Sequence, residues 1–340
     1  MKEYTTSPFV KELREATDQE IRRILSKELL PNYKDLHEMM TYHLGWSGGE
    51  MTGEAVGKRL RPIFLLLSAQ AAGGEWREAL PAAASIELLH NFSLIHDDIQ
   101  DKSPIRHGRE SVWKKWNEAL AINAGDTMFS LANLAMLELG ESKDPDIVIH
   151  AEKCLLQTCV KLTHGQHLDI SNESKNEIDL DSYWSMIGGK TAALLGASMK
   201  IGVITAGSRT EIQEAAYQFG YSIGIAFQVV DDILGIWGET AITGKSIDSD
   251  LMSRKLSLPI LYGIKQNKRF SERWKQDNFQ MDEIPDLAQM LFEEGAKEYS
   301  EKLANEYTEN ALSKFEMTGF HNDAAILLKD LCKKLVKREY

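Results

Sequence analysis

The chain has 340 residues, 43% of them hydrophobic and 26% charged, a balance that supports a large buried core and excludes a disordered or fibrous protein. Its formal net charge of −12 argues against a nucleic-acid partner, and it means that any anionic substrate must be held by local cations rather than by the overall field. The three cysteines, Cys154, Cys159 and Cys332, have no metal-ligand spacing and fit a reducing, cytoplasmic setting.

Residues 1–45 carry apolar positions at helical spacing (Leu13, Ile21, Ile24, Leu25, Leu29), which predicts one or two peripheral helices. The opening MKEYTTSPFVKELREATDQE has no apolar run after its charges, unlike a signal peptide, and no uninterrupted apolar stretch of membrane-spanning length is expected anywhere. Gly45, Gly48, Gly49 and Gly53 mark a loop, after which a helix runs from near Lys58 to Gly73-Gly74.

Pro81 opens the next helix. Ile86, Leu88, Leu89, Phe92, Leu94 and Ile95 cover nearly its whole circumference, so it should be buried. Asp97, Asp98 and Asp101 stand at its end. Asp97 and Asp101 are four residues apart and share one helix face. Carboxylates gathered there repel one another and need a cation, and oxygen ligands with room for water and phosphate suit Mg²⁺.

Lys102 to Arg109, with Pro104 and Gly108, reads as a turn. Helical runs follow at about 117–140, 145–171, 190–206 and 210–236. Within the last, FQVVDDILG at 227–235 brings a second Asp pair, Asp231-Asp232, which suggests a two-walled metal site. A loop is expected over 237–250 and a helix over 256–266. The charged remainder to Tyr340 is helical in period, with Leu287, Leu291, Tyr299 and Leu303 facing inward. No repeat, low-complexity tract or linker interrupts the chain. One all-α domain over 1–340 is the expectation.

Seven stretches together resemble the trans-isoprenyl diphosphate synthases, the polyprenyl synthetase family: GKRLRP (57–62), LLHNFSLIHDDIQD (88–101), IRHG (105–108), GQHLD (165–169), GGKTAALLGA (188–197), FQVVDDILG (227–235) and TGKSIDSDLMSRKLSLP (243–259). They stand in the family's order and cover roughly 50–265, leaving 266–340 as C-terminal helices. The likeness is greatest to short-chain geranylgeranyl and farnesyl diphosphate synthases. It implies helices around a central cavity, a homodimer, and condensation of isopentenyl diphosphate with an allylic diphosphate. The diphosphate leaves, the isopentenyl double bond attacks, and a proton is lost.

On this resemblance Asp97, Asp101 and Asp231 are the Mg²⁺ ligands, with Asp232 beside them in the second pair. Asp98 and Asp232 are also expected to orient metal-bound water or neighbouring lysines. Arg106, Lys190, Lys245 and Lys255 correspond to contacts with the allylic diphosphate. Lys190, Thr191 and Gln228 would face the cavity, where carbonyl or amide oxygens stabilise positive charge on carbon. Lys58, Arg61 and His90 correspond to the isopentenyl diphosphate site, and His90 lies two helical turns before Asp97 on the same face. His96 is read as structural.

Two departures stand out. In IRHG, His107 replaces an arginine expected at the isopentenyl diphosphate, and a largely neutral imidazole weakens that contact or leaves it to Arg109. In DDILG, Gly235 replaces a third aspartate. Glu239, eight residues after Asp231, resembles the second metal motif of class I terpene cyclases and could supplement the metal site. Phe92, five residues before Asp97, resembles an aromatic floor that stops elongation at farnesyl or geranylgeranyl length, and geranylgeranyl is the expectation. Two alternatives are a class I cyclase, which needs no second anion site, and an idle subunit of a heteromeric synthase, which would have lost an Asp motif.

Overall fold

The computed structural model describes residues 7–28, 33–47, 57–173, 175, 177–238, 249–276 and 280–337, and helices make up nearly all of it. α1 (Pro8–Glu28) lays Val10, Leu13, Ile21, Ile24 and Leu25 inward at helical spacing. Thr17, in the same stripe, satisfies its buried hydroxyl by donating to the Leu13 carbonyl at 2.8 Å. α2 (Lys34–His43) follows, then α3 (Leu60–Ala71) and α4 (Leu80–Gln100), with Pro81 in the first turn of α4 as expected.

A two-stranded hairpin, β1 (Ile105–Arg106) and β2 (Arg109–Glu110), replaces the simple turn expected after α4. Its two corner residues, His107 (φ 51°) and Gly108 (φ 76°), are both left-handed, the signature of a tight two-residue loop whose twist matches the strands. The short α5 (Val112–Lys115) leads to α6 (Glu118–Leu137) and α7 (Pro145–Glu173). Asn117 caps α6 by accepting from Leu120 N at 2.9 Å, a contact that contributes about 1 kcal/mol.

α8 (Leu180–Ile187) was not anticipated from the hydrophobic period. Asp179 starts it by accepting from Ser182 N at 2.6 Å. It passes without a break through a π-helical turn (Gly188–Ala192) into α9 (Ala193–Thr205), and α10 (Thr210–Trp237) follows. Beyond these lie α11 (Ser249–Met252), α12 (Leu258–Gln266), α13 (Arg269–Trp274), α14 (Ile284–Glu293), α15 (Ala296–Glu316) and α16 (Asp323–Val336).

The buried apolar side chains form one continuous cluster from Val10 to Val336. α4 lies along α6 and against α1 and α3, while α10 lies between α9 and α15. α9 is the hub. It touches α3, α4, α7 and α10, and every one of its residues except Lys200 is buried. Helices of this kind must be apolar all round. That is why Leu180–Thr205 and Thr210–Trp237 are, by length and composition, apolar enough to cross a membrane although neither is an uninterrupted apolar run. In this fold 78% and 72% of those windows are covered by protein. α1 and α2 are likewise less peripheral than expected, since both contribute to the core.

Candidate active site

α4 holds its first three turns in the core and emerges with its aspartates on its last turn. Asp97 and Asp101 stay on one side, and the Asp101 N–H donates to the Asp97 carbonyl at 2.8 Å. Burial pushes the Asp97 carboxyl up to about 6; Lys190 opposes the rise, Asp101 and Asp169 add to it, and Arg106 opposes it. Burial also raises Asp101, against Lys190 and together with Asp169. Asp98 turns the other way. Only 1% exposed, it accepts from Arg106 Nε at 3.0 Å and Nη2 at 2.6 Å, which ties the end of α4 to the hairpin. Asp98 therefore orients an arginine, and Arg106 presents one edge to Asp98.

α7 and the π turn bridge the two walls. Lys190 is ion-paired with Asp169 on α7, and both lie within electrostatic reach of Asp97 and Asp101. Gln166, one turn before Asp169, donates to Gln100 Oε1 at 3.1 Å and also to the Asp101 carboxylate. This closeness depends on glycine: a Cβ at Gly165 would sit 2.2 Å from Lys190 N, and one at Gly189 would sit 2.5 Å from the Lys161 carbonyl. The π turn widens the helix just where Lys190 and Thr191 must leave it.

On the second wall, Thr191 donates to Gln228 Oε1 at 2.9 Å, and Gln228 Nε2 donates to Asp232 Oδ1 at 3.1 Å. Asp232 is 1% exposed, and its other oxygen accepts from the Tyr183 hydroxyl at 2.7 Å and from Leu258 N at 3.0 Å. A carboxylate so saturated and enclosed fits the orienting role expected of Asp232 better than a place in a metal's coordination shell. Lys255 lies 3.6 Å from Asp232 and 4.0 Å from Asp250. Burial works against its charge, but Asp232, Asp250, Asp169 and Asp231 outweigh that and hold the ammonium above its ordinary range. Asp231, on the half-buried side of α10, thus joins the field around Lys255.

Gly235 has a neighbour that the sequence did not reveal. A Cβ there would lie 2.5 Å from Asp250 Oδ2, so the carboxylate of Asp250 stands against the position where the third aspartate is missing. Glu239 and Lys245 lie outside the described residues.

A basic assembly occupies the space around the hairpin and the start of α3. Arg61 Nη1 donates to His90 Nε2 at 3.0 Å, while Arg61 Nε is buried without a hydrogen-bond partner. Burial, followed by Arg61, Arg106, His43 and Arg59, keeps His90 well below its ordinary pKa, so it is the neutral acceptor. Burial lowers the Arg61 guanidinium too, and Glu87 opposes that shift. His43 is pushed down to about 3, and His107 is also lowered, in each case by burial first and then by Arg106.

Arg59 underlies this region. It is 5% exposed, left-handed (φ 52°), and paired with Asp18 (2.9 Å), Glu87 (2.8 Å) and the Leu44 carbonyl (3.2 Å). Lys58, its exposed neighbour, leads into α3. Arg109 donates to the carbonyls of Tyr42 (2.6 Å) and Ser47 (2.9 Å) and stacks over the Tyr42 ring. These bonds tie two of its nitrogens to the end of α2 and the segment after it, while its Nε is buried without a hydrogen-bond partner.

Phe92 packs against His96 (4.8 Å between ring centroids) and Phe129 (5.2 Å) at the contact of α4 with α6. His96 reaches Ile122 O at 3.4 Å, in keeping with a structural role. The residues brought together are thus Asp97, Asp101, Lys190 and Asp169 in one group, Thr191, Gln228, Asp232 and Lys255 in a second, and Arg61 with His90 in a third. Asp169, Tyr183 and Asp250 were not singled out from sequence. Asp169 closes the GQHLD stretch and Asp250 lies within TGKSIDSDLMSRKLSLP, so both could have been found there, whereas Tyr183 carries no local signal.

Polyprenyl synthetase is the description of the family model that matches this chain, over residues 49–291. The chain belongs to the polyprenyl synthetase family. It is 35% identical over 314 residues to a (2E,6E)-farnesyl diphosphate synthase of Mycobacterium tuberculosis, covering 89% of this chain and 86% of the relative. A geranylgeranyl diphosphate synthase of Methanosarcina mazei is also 35% identical, over 287 residues, 84% of this chain and 87% of the relative. The crystal structure of a polyprenyl synthetase from Streptomyces coelicolor A3(2) superposes with a TM-score of 0.87 at 31% identity, covering 96% and 98% of the two chains.

Membership makes the protein an all-α prenyltransferase of isoprenoid biosynthesis. The family uses divalent metal, and the donor set fits one. Asp97 and Asp101 offer hard carboxylate oxygens that burial and mutual repulsion destabilise as they stand.

Proposed function

We propose that the enzyme condenses isopentenyl diphosphate head-to-tail with an allylic diphosphate to give trans short-chain products, ending at geranylgeranyl diphosphate. The observation that carries this reading is the presence of two charged assemblies on one helix. His90 and Asp97 are seven residues apart on α4, about 10 Å along the axis. The first assembly is a buried arginine partnered by a neutral histidine, with an unpartnered Nε, and such a cation calls for an anion. The second is carboxylate-rich and threaded with lysines. An elongase has two diphosphates to hold, a cyclase only one, so the pair of assemblies favours elongation. An idle subunit is disfavoured because both Asp pairs are intact.

Mg²⁺ would be held by Asp97 and Asp101, with Asp231 opposite, and it would neutralise the charge developing on the leaving diphosphate. Lys190, Lys255 and Arg106 add positive charge around that group, and Asp169 and Asp98 fix two of them. As the C1–O bond breaks, the electron pair leaves with diphosphate. The oxygens of Thr191 and Gln228 face the allylic cation, and the isopentenyl double bond, anchored through Lys58, Arg61 and His90, attacks C1 before a proton departs. His107, a neutral ring on the hairpin corner, contributes shape more than charge. Asp250 supplements Asp231 where Gly235 leaves room, a part the sequence alone suggested for Glu239.

Phe92 supports the product length, since its ring and those of His96 and Phe129 close the space beside α4. The named relatives divide between farnesyl and geranylgeranyl products, so this residue carries the choice. We also propose a single domain acting as a cytoplasmic homodimer. Exposed Leu120, Leu134 and Leu137 on α6 and Ile149, Leu156 and Val160 on α7 give an apolar face for a second copy. Chelation followed by Mg²⁺ return tests the metal, and mass analysis of wild-type and Phe92→Ala products tests the length. Activity that survives chelation, or identical products from the two proteins, contradicts the corresponding part.

A further inference from the structure

We propose that Tyr183 is a positioning residue for the ionisation step, acting through Asp232 to fix which way the Gln228 amide points. The inference rests on the functional reading above, in which the Gln228 oxygen faces the allylic cation. Tyr183 is fully buried in α8, remote in sequence from both Asp pairs, and its hydroxyl donates to Asp232 Oδ2 at 2.7 Å. Leu258 N, in the first turn of α12, donates to the same oxygen at 3.0 Å. These two donors hold the carboxylate plane, which leaves Oδ1 for Gln228.

The direction of the chain follows from chemistry. A carboxylate only accepts, so the Gln228 group facing Oδ1 at 3.1 Å must be the NH₂. Its carbonyl oxygen is then forced to the opposite side, where Thr191 donates to it at 2.9 Å. The negative end of the amide dipole is thereby turned toward the π turn that carries Lys190. With no hydroxyl at 183, Asp232 keeps one donor on Oδ2 and can rotate toward Lys255, 3.6 Å away. The amide of Gln228 then loses its fixed partner and samples both orientations. Burial, followed by Asp232 itself, holds the Tyr183 hydroxyl well above its ordinary pKa, so it remains a donor throughout the working range.

The test is a kinetic double-mutant cycle of Tyr183→Phe and Gln228→Ala with Mg²⁺ and saturating diphosphates. In the wild-type background Tyr183→Phe should lower kcat between about tenfold and a hundredfold, the scale of a misplaced active-site group, and leave both KM values within about twofold. In the Gln228→Ala background the same substitution should change kcat by less than about twofold, because the group it orients is gone. Equal losses in both backgrounds, or a loss expressed in KM, would mean a merely structural tyrosine and overturn the inference alone. A wild type that transfers no prenyl group would overturn the functional reading and this inference with it. Should Tyr183→Phe not fold, Asp232→Asn decides. Its amide offers an NH₂ to Gln228 and forces the Gln228 oxygen inward, so kcat should fall at least as far as in Gln228→Ala. A wild-type kcat in Asp232→Asn refutes the orientation argument.

Discussion

Replacing Arg59 with methionine would strip a buried cation from between two carboxylates and a carbonyl while roughly keeping its length. Glu87 is 4% exposed and would retain only the Asn91 amide, which donates to it at 2.9 Å. Removing one partner of a buried ion pair costs about 3–5 kcal/mol, because the other charge stays desolvated. For a chain of 340 residues, unfolding entropy of about 2 cal/mol/K per residue converts that to a drop in Tm of about 4–7 °C. Glu87→Gln should cost less, since Arg59 keeps Asp18. Asp18→Asn should cost least, because Asp18 is 19% exposed and water replaces part of the contact. Thermal unfolding followed by circular dichroism gives the order directly. A Tm for Arg59→Met within 1 °C of wild type, or a larger fall for Asp18→Asn than for Arg59→Met, would refute the claim that this network holds the start of α3.

Arg61→Met should raise KM for isopentenyl diphosphate by about tenfold or more and leave the allylic KM nearly unchanged, as expected for the loss of a charged hydrogen bond to one substrate; parallel rises in both would contradict the division into two anion sites. Glu152, half-buried on α7 with an unpartnered Oε2, has its carboxyl pushed up to about 7 by burial. The native state therefore holds a proton that the unfolded chain releases near the ordinary glutamate value of 4.5, and stability contributed by this group declines as pH rises from there through about 7. Glu152→Gln should flatten the fall in Tm between pH 5 and pH 8, and an unchanged fall would refute the assignment. Phe92→Ala should shift the longest accumulating product by at least one five-carbon unit. Products of unchanged length would move the floor of the cavity to another residue.

Most of the helical framework was legible because its signals are local. Pro81 in the first turn of α4 and Gly73-Gly74 after α3 act within a few residues. α8 escaped because eight residues span barely two turns, too few for a clear period, and the π turn has no pattern of its own. The hairpin was read as a turn because its strands are two residues each. In the site, Asp97, Asp101 and Lys190 sit in ordered motifs, and the fold brings them within electrostatic reach of one another. The residues that hold them were harder to find. Asp98 and Asp232 are expected from sequence to orient their neighbours, but which neighbours, Arg106 and Tyr183 among them, depends on tertiary contacts. Asp250 stands against Gly235, a pairing that depends on tertiary packing.

The central claim is that two separate anion sites serve two diphosphates in one elongation reaction. It is tested most directly by incubating the purified protein with Mg²⁺ and dimethylallyl, geranyl or farnesyl diphosphate, each with and without isopentenyl diphosphate, and analysing products by mass. Longer linear diphosphates formed only when isopentenyl diphosphate is present are the predicted result. A hydrocarbon released from an allylic diphosphate alone, or no product with any primer, would contradict it.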